Sequence, residues 1–266
     1  YYCITGRVKM ILGNIEKHNG SGLVAFLDIL GFSNEIMDNW NNQDDNPLDK
    51  LLRLKEGLPI NTGSELVSFY KEDQNINVRK YSCRVQSISD SIVVSFGFNE
   101  NLIYGDVILG IKIFFNTISA IWRNTLKAGF TIRGAADWGD IFWNDKEIIG
   151  PAFINTYRLE QNIAKSSRVI ISSNLNQNLA KMFNQEKTFW NDELLKNLTK
   201  DTDGYLILNP HTLYYDEVEK DKTHLIHIIQ KLRDNADGLN KEKYSSILAN
   251  LNSENKKLKS EELGRY

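Results

Sequence analysis

Two aspartates stand where a chain that handles phosphates would need them. Asp28 lies near the end of the apolar run 23–29 (LVAFLDI), and Asp90 sits between two serines in Ser89, Asp90, Ser91. An ionised carboxylate closing a wholly apolar segment is costly unless something cationic meets it. If the two segments lie side by side, both carboxylates point to one edge and can hold divalent ions against a triphosphate. Mg²⁺ in such sites is held by one or two carboxylates plus substrate phosphates. Two ions roughly 3.5–4 Å apart can activate an attacking oxygen and stabilise a leaving one. The plainer alternative is that Asp28 caps a loop and Asp90 makes a hairpin turn, both common uses of Asp.

The surroundings favour the pair. Gly31 frees the backbone to turn, and residues 29–33 then present amides to phosphates where a helix starts, which puts Gly31, Phe32 and Ser33 on the nucleotide. Arg84 and Gln86 share a strand face with Ile88 and Asp90 if that strand is regular. They are placed to read a base edge, or they are simply the solvated side of a half-exposed strand. The histidines His18, His211, His224 and His227 show no metal-ligand spacing with Asp, Glu or Cys. His224 and His227, three apart on a helix, read as an exposed or satisfied pair before a zinc site.

Several elements must position these groups. Residues 23–29 read as a short buried strand flanked by Gly22 and Gly31. Helix, loop and an irregular insertion follow. Residues 78–98 read as two strands meeting in a hairpin at the Ser-Asp-Ser triplet. Residues 101–127 repeat apolar positions at helical spacing and end at Gly129. Residues 130–142 (FTIRGAADWGDIF) are strand-like, and Pro151 opens a helix that runs to Ala164. Residues 168–172 form a short buried strand, 175–183 a helix, and 205–208 an edge strand. From Asp216 the chain is charged and helical with a break near Gly238, and the run NSENKKLKSEE reads as a solvated helix face.

The order strand, helix, two strands, helix, strand, helix, strand predicts an α+β fold of the ferredoxin-like, split βαβ palm type with a C-terminal helical extension. Its expected parts are a segment 1–22, a catalytic domain 23–210 and an extension 211–266. Such a fold hosts many unrelated activities.

Bulk properties exclude several classes. With 32 Lys and Arg against 34 Asp and Glu, the net charge of -2 does not point to a nucleic-acid surface. Two cysteines without metal-type spacing suit a reducing compartment. The longest apolar run, 107–121, is interrupted by Gly110, Lys112, Asn116 and Thr117, so no membrane span is expected. No signal peptide is visible. The chain begins at Tyr1 rather than Met, which is compatible with further residues upstream. The cytoplasm is the expected location.

The ordered motifs resemble the class III adenylate and guanylate cyclases. FLDILGFS (26–33) is close to the family's first metal motif, and ISDSIVV (88–94) is similar to the hairpin carrying its second metal aspartate. RGAADWGDIF (133–142) resembles the glycine-rich strand after the dimer-forming helix. IGPAFINTYRLE (149–160) resembles the helix bearing the family's Asn and Arg, and RVIIS (168–172) the strand beyond. Together they cover about residues 23–172. The wording is nearest to the pyrimidine cyclases of Pycsar antiphage defence, which make cyclic UMP or cyclic CMP to activate a separate effector.

The resemblance implies a phosphorus-oxygen lyase that closes a nucleoside triphosphate, UTP or CTP, into a 3′,5′-cyclic mononucleotide with loss of pyrophosphate. It implies two divalent ions, Mg²⁺ or Mn²⁺, on Asp28 and Asp90 with help from the Ile29 carbonyl. Arg158, eight residues past Gly150, matches the arginine that steadies charge on the transferring phosphoryl group. Arg suits that role by its planar, always-charged fork. Two departures are plain: the family's Asn position falls on Ile154 with Asn155 one place late, and Gln86 stands where adenylate cyclases carry a purine-selecting Lys. In this family the metal aspartates and the arginine come from opposite subunits, which implies a homodimer with two shared sites. The rival readings are a catalytically inactive cyclase-like nucleotide-binding domain, a purine nucleotide cyclase, and a diguanylate cyclase or polymerase-like enzyme. The last group would carry a Gly-Gly-Asp hairpin that this chain lacks.

Overall fold

The central strands of the chain bury apolar side chains on both faces at once. The computed structural model of the chain describes residues 9–13, 17–42, 46–56, 63–72, 75–98, 103–214, 219–252 and 258–264. In chain order these hold β1 (Lys9–Gly13), β2 (His18–Leu30), α1 (Phe32–Asn39) and α2 (Pro47–Glu56). Next come β3 (Gly63–Glu72), β4 (Asn75–Ile88), β5 (Ser91–Gly97) and the long helix α3 (Tyr104–Lys127). Then follow β6 (Thr131–Trp143), β7 (Ile148–Ile149), α4 (Pro151–Asn162), β8 (Val169–Ile171) and α5 (Ser173–Gln185). The remaining elements are α6 (Phe189–Leu195), β9 (Leu198–Lys200), β10 (Leu206–Leu208), α7 (Glu219–Asn235) and α8 (Glu242–Asn252).

The strands make one mixed sheet in the order β1-β3-β4-β5-β2-β6-β8-β10-β9, with β7 alongside β6. Its pairs are antiparallel except β6 with β8. The chain is thus a mixed α and β fold. β2 is interior, between β5 and β6, and its alternation divides it cleanly. Leu23, Ala25, Leu27 and Ile29 enter the main core with Ile111, Phe115, Ile118 and Trp122 of α3. Val24 and Phe26 join a second cluster with Ala152 of α4. By the same parity Asp28 emerges on the α4 side.

Two glycines let the central strands approach. A Cβ on Gly134 would come 2.4 Å from the Phe26 carbonyl oxygen, and one on Gly22 would come 2.6 Å from that of Phe96. No side chain fits either contact. α3 has the length and hydropathy to cross a bilayer, but 56% of its apolar window is buried in the fold. Its apolarity is accounted for by its place under the sheet.

Differences from the sequence-based expectation are informative. β2 starts at His18 rather than Leu23, β1, β3, β7, α6 and β9 add to the expected elements, and residues 101–102 at the start of the expected long helix lie outside the described residues. β10 is interior, not an edge: β9 covers it, and Leu206, Ile207 and Leu208 are all buried. α7 and α8 place Leu225, Ile229, Ile247 and Leu251 in the same core as α3. Of the charged run 252–262, residues 253–257 are outside the described set, and 260–262 form a 3₁₀ turn beside buried Leu258.

His18 is 6% exposed, stacks on Trp143 at 4.4 Å between ring centroids, and points Nε2 at the Ser21 carbonyl. Burial lowers its pKa below 6.5, against the opposing pull of the backbone at Ser21 and Gly20. With a folded pKa below the unfolded one, the unfolded chain takes up the proton first, so stability declines as pH falls through the unfolded value. Urea unfolding at pH ~7.5 and ~5.5 should show a loss in wild type that is clearly smaller in His18→Phe. Equal losses in both proteins would contradict the role given to this side chain.

Candidate active site

The β4–β5 hairpin closes on a two-residue loop, Ser89 and Asp90. Ser89 takes the positive φ of 54° that a tight hairpin loop needs at its first position. The next residue, Ser91, pairs with Asp28 across β2–β5. The Ile29 N–H donates to the Asp90 carbonyl at 3.1 Å, tying the two aspartate-bearing backbones together. Both aspartates therefore sit at one end of the central strands. The Asp90 charge acts on Asp28, while burial is the largest influence raising the Asp28 pKa. Lys55 of α2 reaches over and donates Nζ to the Ser89 carbonyl at 2.6 Å, where it feels Asp90.

Arg133 is the residue that sequence reasoning missed. It stands opposite Asp28 in the β2–β6 register. Its Nε donates to Asp28 Oδ2 at 3.0 Å and lies 2.8 Å from Glu160 Oε1. Glu160 is fully buried on the inner face of α4, in line with Ala152 and Thr156. Burial raises its pKa first of all; Arg133 works against that and the Asp28 charge adds to it. The signal was available: a lone arginine in the strand TIRGAA is a charge among apolar neighbours and demands a carboxylate.

The other expected groups divide. Gly31 adopts a left-handed φ of 86° and opens α1, whose first turn has no side-chain cap, so its amides are available beside Asp28. Ser33 is exposed at that turn. Phe32 does not face a nucleotide: it is 3% exposed and packs edge-on against Phe130 at 5.6 Å. Arg84 corrects another expectation. It is 2% exposed and donates to the carbonyls of Asn144, Glu147 and Asp145, clamping the β6–β7 turn instead of facing a base. Gln86 is half-buried on the same face, and Ile88 beyond it is 52% exposed, so this face opens only toward the hairpin.

Asn155 of α4 donates Nδ2 to Asp137 Oδ2 at 3.1 Å. Asp137, wholly buried, also accepts from Ser172, whose hydroxyl oxygen caps α5 by accepting the Leu175 N–H at 3.0 Å. Asn155 is thereby held by a structural network. Arg158 projects from the exposed side of α4 beside Ile154 and Tyr157, and it makes no ion pair among the described residues. The charges acting on Asp28 are those of Arg133 and Asp90, not Arg158. Tyr157 packs edge-on against Phe26 at 5.4 Å.

Two neighbouring carboxylates whose repulsion Arg133 offsets only at Asp28 are a hard-oxygen donor set suited to Mg²⁺ or Mn²⁺. Among the described residues no group of three or more His, Cys, Asp or Glu is arranged to hold a metal. Asp28 and Asp90 would share an ion with oxygens from elsewhere, as water and substrate phosphates supply. A cleft of about 710 Å³ lies between α1, the end of α3, α7 and α8, and meets this region only at Gly31. Neither aspartate lines it, so the carboxylates open on a different surface.

No family model matches the chain, and no curated protein matches it.

Because the folded pKa of Asp28 is raised, its ionised form costs stability at neutral pH, and that cost is relieved as pH falls toward the ordinary carboxylate range. Metal-free Asp28→Asn is therefore expected to melt at or above the wild-type temperature near neutral pH, with the gap narrowing in acid. Calorimetry in the presence of a chelator checks this; a loss of stability beyond about 1 kcal/mol at neutral pH would contradict it.

Proposed function

We propose that this chain is a nucleotidyl cyclase that closes a nucleoside triphosphate, UTP or CTP, into a 3′,5′-cyclic mononucleotide and releases pyrophosphate. The observation that carries the reading is the meeting of Asp28 and Asp90 at one end of the central strands. The order β4-β5-β2-β6, with β5 antiparallel to both its neighbours, supports it, because this is the strand order of a split βαβ palm. The motif series from FLDILGFS to RVIIS, in family order, supports it as well.

In this reading Asp28 and Asp90 hold two divalent ions together with the substrate's phosphates. When bound, the ions supply Lewis-acid polarisation of the 3′ oxygen and of the phosphoryl oxygens. The chain itself orients. The 3′ oxygen attacks the α-phosphorus, its proton passes to solvent, and the bond to the pyrophosphate oxygen breaks. Since nucleophile and electrophile belong to one molecule, holding them in line is most of the task. The uncapped first-turn amides of α1 at Gly31 and Ser33 are suited to the phosphates. Gln86, on the strand face that opens at the hairpin, is suited to the base.

Arg158 supports a homodimer with shared sites, because it faces away from its own chain's Asp28 and would serve a partner's. An effector of the cyclic product in antiphage defence, in the cytoplasm, completes the proposal on the strength of the Pycsar resemblance. A second reading, an inactive cyclase-like nucleotide-binding domain, is favoured by one observation: Asn155 is engaged by Asp137 and so withdrawn from catalysis.

Incubation with each of the four NTPs and Mn²⁺, followed by mass spectrometry, separates the two. A cyclic pyrimidine mononucleotide is expected, with Asp28→Ala and Arg158→Ala each reducing turnover at least ~100-fold. Mixing those two variants should restore part of the activity through one intact site per dimer. Absence of any cyclic product from all four NTPs leaves the binding-domain reading in its place.

A further inference from the structure

We propose that Glu160 is a positioning residue that acts through Arg133 on Asp28, so that the buried carboxylate of α4 sets the divalent-cation affinity of the Asp28 and Asp90 pair. This rests on the reading of that pair as a metal site. Arg133 Nε carries a single N–H. It lies 3.0 Å from Asp28 Oδ2 and 2.8 Å from Glu160 Oε1, but the hydrogen is directed at Asp28, so Glu160 Oε1 has the cation close by without the bond. Among the described residues, Glu160 Oε1 is thus buried without a hydrogen-bond donor. The other oxygen, Oε2, accepts from Gln161 Nε2 at 2.6 Å, which fixes how the carboxylate is presented.

A buried carboxylate oxygen without a donor is an expensive arrangement, and it is relieved when the guanidinium turns fully toward it. A cation held at Asp28 would bring this about, since Asp28 could not keep Arg133 on the same oxygen. Glu160 is thus the acceptor that receives the displaced arginine, and its presence lowers the cost of loading the aspartates. Without it, Arg133 would have Asp28 as its sole partner and would compete harder with any ion. The same helix carries Asn155 and Arg158, so the link ties the seating of α4 on the sheet to the state of the aspartates.

The test is a double-mutant cycle on the full chain, stripped of metal and titrated with Mn²⁺ alone, with free ion measured by electron paramagnetic resonance. Glu160→Gln is isosteric and should weaken Mn²⁺ binding about tenfold. In an Arg133→Gln background the same change should alter binding by less than about twofold, because the competing guanidinium is gone. An equal effect of Glu160→Gln in both backgrounds, as simple charge removal through space would give, overturns the proposal, as does no effect in either. Should Arg133→Gln not fold, Arg133→Met, which also removes the cation while keeping an unbranched stem, takes its place in the cycle with the same expectation. Wild type that binds no Mn²⁺ overturns the metal-site reading together with this inference, whereas wild-type binding with additive effects overturns this inference alone.

Discussion

One guanidinium divided between two carboxylates holds the candidate site together. Asp28 closes a strand buried on both faces, and nothing in such a place tolerates a bare charge. Arg133, directly across on β6, supplies the counter-charge from within the sheet, and Glu160 anchors Arg133 from α4. The cluster still carries surplus negative charge, because Asp28, Glu160 and Asp90 face Arg133 and Lys55. A fold that keeps such a surplus at the end of its central strand sacrifices some stability there. That pattern is expected of sites shaped for a ligand rather than for the fold alone.

The rest of the structure makes that arrangement possible. β2 has to pass between β5 and β6 closely enough for Asp28 to meet both Ser91 and Arg133. Gly22 and Gly134 leave the space that close passage takes. α3 fills the opposite face with Ile111, Phe115 and Trp122, so the strand is fixed in height, and α4 is laid on the near face by Ala152 and Thr156. Arg84 secures the β6–β7 turn by capping its carbonyls, which steadies the start of α4 at Gly150 and Pro151.

Much of this was legible in the residues because it is written in periodicity. The apolar run before Asp28, the hairpin at Ser-Asp-Ser, the helical spacing behind α3 and the proline opening α4 each carry a local signal that tertiary packing reinforced. What escaped notice depends on register and on loops folding over. Arg84 does share a strand face with Gln86 and Ile88, as alternation says, but no local pattern tells that residues 144–147 fold down onto it. Phe32 lies in the expected turn, yet its ring follows the helix into the core against Phe130. β10 is interior only because the short strand β9, too brief to leave a pattern, returns beside it. The Arg133–Glu160 contact joins a strand residue to a helix residue. Each was a visible anomaly, a charge on a buried face, but their pairing needed the sheet.

Everything proposed for this site depends on whether Asp28 and Asp90 share a divalent cation. The most direct measurement is an X-ray structure of crystals soaked in Mn²⁺ with a slowly turned-over UTP analogue, using the anomalous signal of the metal. The expected result is a Mn²⁺ peak coordinated by carboxylate oxygens of both aspartates, with Arg133 moved off Asp28 Oδ2. Crystals that show ordered nucleotide but no anomalous peak between these side chains, with the Arg133–Asp28 pair intact, would contradict it.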